Sequence, residues 1–277
     1  MTVKNIIVGY DGSPSARRAA RWALDEATRT GSPVELCSAP SLAGPLTPVM
    51  CRPHPAPGTA ADTVGDLAAS AAVSHPAVAV HTLESTETAA DALIARSADG
   101  SLVVLGKHDR PATTGRLGCV AVGVAANAHC SVVIVRGHPA PGYPIVAGVD
   151  HSEAAMHALA FAFEQAAAHD VPLIVLRAWL PSSGGGRAGS LPAVLAEERR
   201  RLADLLDGWR EKFPSVDARP VVVVEHPARA LADASRDAQL VVVGTRGNVF
   251  RGTLLGSVSR HLVQHAASSV AVVRDGW

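Results

Sequence analysis

The sequence predicts an α/β protein with two tandem doubly wound domains, each a five-stranded parallel sheet flanked by helices. Two observations support this prediction. Short apolar runs alternate with longer Ala-rich stretches along the 277 residues, and the pattern of the first half recurs in the second. Alternation of strands and helices is typical of βαβ units, whose right-handed crossovers make the strands parallel.

The repeat is visible without a gap over the beginning of each half. Residues 5–39 align with residues 144–178 at an offset of 139, and ten of the 35 pairs are identical. Towards the end of each half the offset is 138. The segment between the copies, residues 137–142, is rich in Pro and Gly and predicts a linker. We therefore expect one domain over residues 1–138 and a second over residues 143–277.

Ten apolar runs have the length of strands, and they are continuous rather than alternating, as in strands that are buried on both faces of a parallel sheet. They cover residues 6–10, 34–39, 77–81, 102–106 and 132–136 in the first half, and 145–149, 173–178, 220–225, 240–244 and 270–274 in the second. Helices are predicted at residues 15–30, 153–169 and 191–212. Ser13 and Ser152 are expected to be N-caps of the first helix of each half.

Composition excludes several classes of protein. Lys and Arg total 25, as do Asp and Glu, so the formal net charge is zero and general nucleic-acid binding is not expected. No apolar run is long enough to span a bilayer, and the N-terminus does not have the pattern of a signal peptide. We therefore expect a cytoplasmic protein that binds neither nucleic acid nor membranes.

The cysteines fit a reducing compartment. All four lie in the first half, and a secreted disulfide scaffold would be smaller and richer in Cys. Cys51 and His54 have a spacing known from metal ligands, but no second pair follows nearby, whereas structural zinc needs four ligands. The sequence therefore predicts free thiols and no metal site.

A glycine-rich segment in the second half has features of a phosphate-binding loop. The predicted strand ends at Gly244, a loop follows, and Gly256-Ser257 opens a helix. Ser257 is the expected N-cap, and the N–H groups of a helix start attract anions. Neither a Walker A loop nor the dinucleotide fingerprint is present. On these residues alone, a phosphate site and an ordinary tight turn both remain open.

An acid ends the first strand of each half, Asp11 in the motif Val-Gly-Tyr-Asp and Asp150 in Ala-Gly-Val-Asp. At the carboxyl end of a strand such a carboxylate can accept hydrogen bonds from a ribose or a base. It can equally help to cap the helix that follows. Position alone does not separate the two roles.

Taken together, these features resemble the universal stress protein family, in particular its tandem members, and imply Rossmann-like domains. The matching features are the first strand with its Asp and following Ser, the Leu176–Trp179 strand end, the stretch at 237–244, and the closing helix and strand of each half. The family's ATP motif is Gly-x2-Gly-x9-Gly-[Ser/Thr]. The second half has Gly244-x2-Gly247 and Gly256-Ser257, with eight residues rather than nine between Gly247 and Gly256.

The resemblance implies roles in ATP binding for residues of the second half. Asp150 would face the nucleoside, Gly148 and Val149 would line the pocket, and the backbone of Ala178 would meet the adenine. The phosphates would be held by the glycine segment, namely Gly244, Arg246, Gly247, Gly256, Ser257 and Val258.

The first half departs further from this motif. Gly106 and Gly118 are kept, but Asp109 stands where the second half has Gly247, and Cys119 where it has Ser257. A carboxylate beside phosphate oxygens is repulsive, and a thiol is a weaker donor than a hydroxyl. We expect the first half to have lost ATP binding or to bind ATP much more weakly.

The resulting expectation is an ATP-binding universal stress protein with a regulatory or stress-response role and no catalytic residues. Two alternatives stay open at this point, a slow ATP hydrolase and a nucleotide-free scaffold. The resemblance also implies that the last strands of the two domains, residues 132–136 and 270–274, pair as an intramolecular pseudo-dimer. Homodimers of whole chains are compatible with the sequence, which identifies no protein partner.

Overall fold

The computed structural model describes residues 4–39, 63–107, 119–137, 142–150, 152–180, 191–245 and 255–274. The chain divides into two compact units. The first ends at Arg136, and the second comprises residues 137–274.

The first unit is a parallel sheet with helices in its crossovers. The strand order is β3-β2-β1-β4-β5, and every neighbouring pair is parallel. In chain order the elements are β1 Asn5–Gly9, α1 Pro14–Thr30, β2 Val34–Ser38, α2 Val64–Ser74, β3 Val80–Glu84, α3 Ala89–Arg96, β4 Gly100–Gly106, α4 Cys119–Asn127 and β5 Ser131–Val135.

The second unit repeats this plan. Its strand order is β10-β9-β6-β7-β8, again with parallel neighbours. Its elements are β6 Ile145–Gly148, α5 Glu153–His169, β7 Leu173–Trp179, α6 Leu191–Lys212, β8 Ala218–Val224, α7 Pro227–Ala234 with a 3₁₀ turn Ser235–Asp237, β9 Leu240–Gly244, α8 Ser257–His265 and β10 Ser269–Val273.

The predicted fold class is confirmed, and most strand bounds agree within two residues. The exception is β3, which was predicted at residues 77–81 and lies at Val80–Glu84. Residues of β3 are exposed or half-buried, so burial does not impose an apolar pattern on them. Pro76 belongs to the turn before the strand. The prediction was placed on the apolar residues that follow Pro76, which lie in this turn and at the beginning of the strand.

The first helix of each unit begins at the predicted serine. The hydroxyl oxygen of Ser13 accepts from the amide of Ala16 at 3.1 Å, and that of Ser152 accepts from the amide of Ala155 at 3.2 Å. Each cap satisfies an amide that has no partner within the helix. The two halves therefore set the direction of α1 and α5 in the same way.

Aromatic rings join α5 to α6 in the second unit. The ring of Phe163 stacks on Trp209 and on Phe213, with centroids 5.3 and 5.4 Å apart. The side chain of Phe163 is fully buried. Offset ring pairs of this kind add to the stabilisation that burial provides.

Across the described ranges, none of the helices is both long enough and apolar enough to cross a membrane.

A glycine ends the fourth strand of each unit because the first helix comes too close for a side chain. A Cβ on Gly244 would lie 2.7 Å from the carbonyl oxygen of Ala154 in α5. A Cβ on Gly106 would overlap the carbonyl group of Ser15 in α1. Because these contacts are with backbone atoms, no rotamer change can relieve them.

We expect Gly106→Ala to destabilise the protein by about 1–3 kcal/mol, the usual cost of overpacking. Urea unfolding followed by circular dichroism measures this change. The matched control is Gly123→Ala in α4, where an added Cβ meets no atom within 4 Å. That substitution should leave stability unchanged or raise it by up to about 1 kcal/mol, because alanine is the better helix former. Equal stability of the two variants would contradict the close approach.

Candidate functional site

The candidate site lies at the carboxyl ends of β6, β7 and β9. Strand β6 lies between the other two, with Ile145 opposite Leu173 on one side and Leu240 on the other. The connections from β6 and from β9 lead to opposite edges of the sheet, so β6 and β9 flank a topological switch point. Ligands of doubly wound sheets bind in the crevice at such a point.

The sequence-predicted residues at the strand ends meet at this edge. Gly148 is the last residue of β6, and Val149 and Asp150 follow it. Gly244 is the last residue of β9, and Ala178 is the penultimate residue of β7. The amide of Val149 donates to the carbonyl of Leu176 at 3.1 Å, which continues the contact between β6 and β7 beyond the end of β6.

Asp150 helps to cap α5, one of the two roles its position allows. Its Oδ1 accepts from the amide of Ser152 at 2.8 Å and from the hydroxyl of Ser152. Asp11 is placed in the same way, with its Oδ1 accepting from the amide of Ser13 at 3.0 Å. Asp150 is half-buried, and no described residue donates a hydrogen bond to its Oδ2. One oxygen therefore serves the helix, and the other has no hydrogen bond from the described residues.

The start of α8 corrects one prediction. The N-cap is Gly256, not Ser257, which is the first residue of the helix and is exposed. Gly256 has the extended backbone of an N-cap (φ −63°, ψ 156°), but it has no side chain that could accept a hydrogen bond. Among the described residues, no side chain caps the amides of the first turn, which begins with Ser257 and Val258. These amides carry the partial positive charge of a helix start.

Two hydrogen bonds fix the start of α8 to the end of β9. The amide of Gly256 donates to the carbonyl of Thr245 at 2.7 Å, and the hydroxyl of Ser259 donates to the carbonyl of Gly244 at 2.6 Å. Ser259 and Thr245 are both buried. Sequence reasoning did not assign a role to Ser259, although a serine on the buried side of a short helix is a signal for such a bond.

Two of the predicted site glycines also have a packing role. A Cβ on Gly148 would lie 2.7 Å from a methyl group of Leu231 in α7, and Gly244 is pressed against α5 as described above. Their identity is therefore already explained by the fold, without a ligand.

Some predicted residues lie outside the described part of the chain. These are Arg246 and Gly247 in the second unit and Asp109 and Gly118 in the first. Cys119 is the first residue of α4.

A cavity of about 570 Å³ opens beside Asp150, between the first turn of α5, β7 and α6. Asp150 is the predicted site residue that lines this cavity. Its lining consists of Asp150, Ser152, Glu153, Met156, Arg177, Arg201, Leu202 and Leu205. The lining combines apolar side chains with charges of both signs.

An ion pair fixes one wall of this cavity. The Nε of Arg177 in β7 lies 2.8 Å from a carboxylate oxygen of Glu198 in α6, and the Glu198 side chain is only 3% exposed. A nitrogen of Arg201 lies 3.5 Å from the other oxygen of Glu198. Sequence reasoning missed this network, because nothing in the run of charges at residues 197–201 distinguishes the buried acid from its exposed neighbour.

The first unit has a buried ion pair at a different place. Glu35 in β2 accepts two hydrogen bonds from the guanidinium of Arg96, at 2.7 and 2.6 Å. Burial and the nearby Glu35 carboxylate raise the pKa of the Cys37 thiol to about 11, although Arg96 partly opposes the rise. Cys37 and Cys130 are free thiols. At neutral pH Cys37 is therefore protonated, which makes it a poor nucleophile.

The fold and the site define an α/β protein of two doubly wound units, with the start of a helix at the switch point of the second. The universal stress protein family model matches residues 2–136 and 143–274. A universal stress protein of Mycobacterium tuberculosis strain H37Rv is 36% identical over 286 residues, covering 98% of this chain and 96% of the relative. One of Mycolicibacterium smegmatis is 32% identical and covers 99% and 98%. The chain belongs to the universal stress protein family.

A solved structure agrees with this fold. A universal stress protein from Archaeoglobus fulgidus has a TM-score of 0.65 at 14% identity, with 98% of each chain covered. At this identity the comparison concerns the fold alone.

The charge of Glu198 can be tested separately from its size. We expect Glu198→Gln to destabilise the protein by about 3 kcal/mol or more, because Arg177 loses the counter-charge of a buried pair. The matched control is the adjacent Glu197→Gln, since Glu197 is paired with Arg200 and Arg201 on the exposed side of α6. Urea unfolding should show little change for the control. Equal losses in both variants would refute a special role for Glu198.

Proposed function

We propose that the second unit binds ATP and that the protein acts as a nucleotide-dependent regulator in a stress response. The observation that carries this proposal is the start of α8, which no described side chain caps and which is fixed to the end of β9 at the switch point of the sheet. Membership of the universal stress protein family supports ATP as the ligand, through the motif residues Gly244, Gly247, Gly256 and Ser257.

The phosphates are proposed to bind at the first turn of α8. Amides that lack a capping side chain need an external acceptor, and the helix dipole favours an anion. The hydroxyl of Ser257 is exposed on the first residue of the helix and can add one donor. Binding by backbone amides fits a chain with zero net charge, because it needs no basic surface.

The nucleoside is proposed to lie towards Asp150 and Ala178. The Oδ2 of Asp150, which accepts from none of the described residues, can accept a hydrogen bond from a ribose hydroxyl or from a base amino group, while Oδ1 stays with Ser152. The adjacent cavity of about 570 Å³ has the size of a small-molecule site. Its half-buried apolar residues Met156 and Leu205 offer surface to an aromatic base.

We propose regulation rather than rapid turnover because both oxygens of Asp150 would be engaged with nucleotide bound. Its Oδ1 accepts from Ser152 at the start of α5, and Oδ2 is proposed to accept from the nucleoside. A general base must be free to take a proton from the attacking water. We therefore propose a binding protein whose ATP occupancy changes its partner choice, with the first unit binding ATP weakly or not at all.

The phosphate site is tested by Gly256→Asp. Asp is a good N-cap, so the variant should fold at least as stably as the wild type, while its carboxylate occupies the α8 amides and repels phosphate. Purified wild-type protein, denatured and analysed by chromatography, should release about one ATP per chain. The variant should release almost none, and ATP should no longer raise its melting temperature.

Gly256→Asn is the matched control, because Asn caps a helix as Asp does but carries no charge. It should retain more ATP affinity than Gly256→Asp, by about tenfold or more if charge repulsion dominates. Unchanged ATP binding in Gly256→Asp would refute the phosphate site at α8. Two tightly held ATP molecules per wild-type chain would refute the inequality of the two units.

The role of Asp150 is tested by Asp150→Asn. An Asn oxygen can still accept from the amide of Ser152, so α5 keeps its cap, but the charged acceptor facing the nucleoside is lost. We expect ATP affinity to fall by about tenfold or more with little change in melting temperature, since hydrogen bonds to charged groups contribute about 1.5–3 kcal/mol. Isothermal titration calorimetry measures the affinity.

Asp11→Asn is the matched control, because Asp11 accepts from Ser13 as Asp150 does from Ser152. It should leave ATP affinity unchanged. An equal loss of affinity in both variants would assign the effect to the helix caps rather than to nucleoside binding.

A further inference from the structure

Two histidines form a pair on α8 that the proposed nucleotide site does not use. His261 and His265 are four residues apart, and their rings lie with centroids 4.5 Å apart and planes inclined by 40°. His261 is half-buried, and His265 is exposed. Residues at i and i+4 lie on the same helix face, about one turn apart. The backbone therefore presents both imidazoles to solvent side by side.

Within the described ranges, neither ring makes a hydrogen bond or an ion pair. Histidine rings in proteins ordinarily use their nitrogens as donors or acceptors, so two adjacent rings with unused nitrogens leave lone pairs available to a common ligand. Their common feature is an unshared electron pair on nitrogen, which is what a metal ion accepts.

We propose that His261 and His265 together chelate one divalent transition-metal ion of the copper, nickel or zinc class. Two histidines at i and i+4 on one helix face can reach a single ion with metal–nitrogen distances of about 2.0–2.1 Å. Imidazole suits these metals, whereas Mg²⁺ and Ca²⁺ prefer oxygen ligands. The described residues contain no group of three or more His, Cys, Asp or Glu that could hold a metal, so the proposal is limited to these two protein ligands.

Burial lowers the pKa of His261, and the neighbouring His265 and His226 lower it further. This site differs from the one considered in the sequence, Cys51 and His54. Its two residues are the central and the last residue of α8, whereas the proposed phosphate site is at the first turn.

Binding at this pair should also stabilise the protein. An ion that bridges residues 261 and 265 closes one turn of α8, and any ligand that binds only the folded state raises the melting temperature. The effect is independent of ATP, so failure of this proposal leaves the proposed function intact, and the reverse also holds.

The test is calorimetric titration of the full chain with Ni²⁺, compared with His261→Gln, His265→Gln and the matched control His169→Gln. His169 is an exposed histidine at the end of α5. The wild type and the control should share one tightest Ni²⁺ site. Both pair variants should bind at least about tenfold more weakly, since even loss of an outer-shell partner costs that much.

Two further readouts make the result decisive. Ni²⁺ should raise the melting temperature of the wild type and the control, but not of either pair variant. Electron paramagnetic resonance with less than one equivalent of Cu²⁺ should show two nitrogen ligands in the wild type and not in His265→Gln. The proposal is overturned if the wild type has no such site, if His265→Gln retains it, or if His169→Gln loses it.

Discussion

The first turn of α5 lies directly against the end of β9, and the geometry of the second unit depends on this contact. A Cβ on Gly244 would lie 2.7 Å from a carbonyl oxygen of α5, so only a residue without a side chain permits the approach. The approach brings the helix cap at Ser152 and the acid Asp150 to the strand ends where α8 also begins. The glycine, the cap and the start of α8 are therefore parts of one arrangement.

The same contact occurs at Gly106 in the first unit, yet the two units differ in their chemistry. Both have a serine cap, an acid that supports it and a glycine under the first helix. Their buried ion pairs differ in place and direction. In the first unit the acid Glu35 is on a strand and its arginine is at the end of α3, whereas in the second Arg177 is on the strand and Glu198 is on α6. The two units therefore share the glycine contact and the serine cap, although the ion pairs around them differ.

The start of α8 has a glycine N-cap, which stabilises the helix little, but it is held in place by hydrogen bonds to the end of β9. Glycine at the N-cap forgoes the stabilisation that a serine or aspartate side chain would give to the first turn. The hydrogen bonds from Gly256 to Thr245 and from Ser259 to Gly244 hold the helix start in place instead. A helix start that is fixed in this way, with no cap from the described side chains, orients its amides as the proposed binding of an anion requires. Preorganisation of this kind reduces the entropy cost of binding.

The sequence by itself determined the elements that depend on local signals and on burial. The repeat, the continuous apolar strands and the serine caps of α1 and α5 predicted the doubly wound units, and β9 at Leu240–Gly244 was placed without error. Only the tertiary structure decided the rest. Strand β3 has little buried surface to mark it, the cap of α8 is set by contacts with β9, and Glu198 is distinguished from Glu197 by burial beneath Arg177. Helix caps and strand patterns depend on residues that are neighbours in the sequence. Burial and close backbone contacts depend on residues that are distant in the chain.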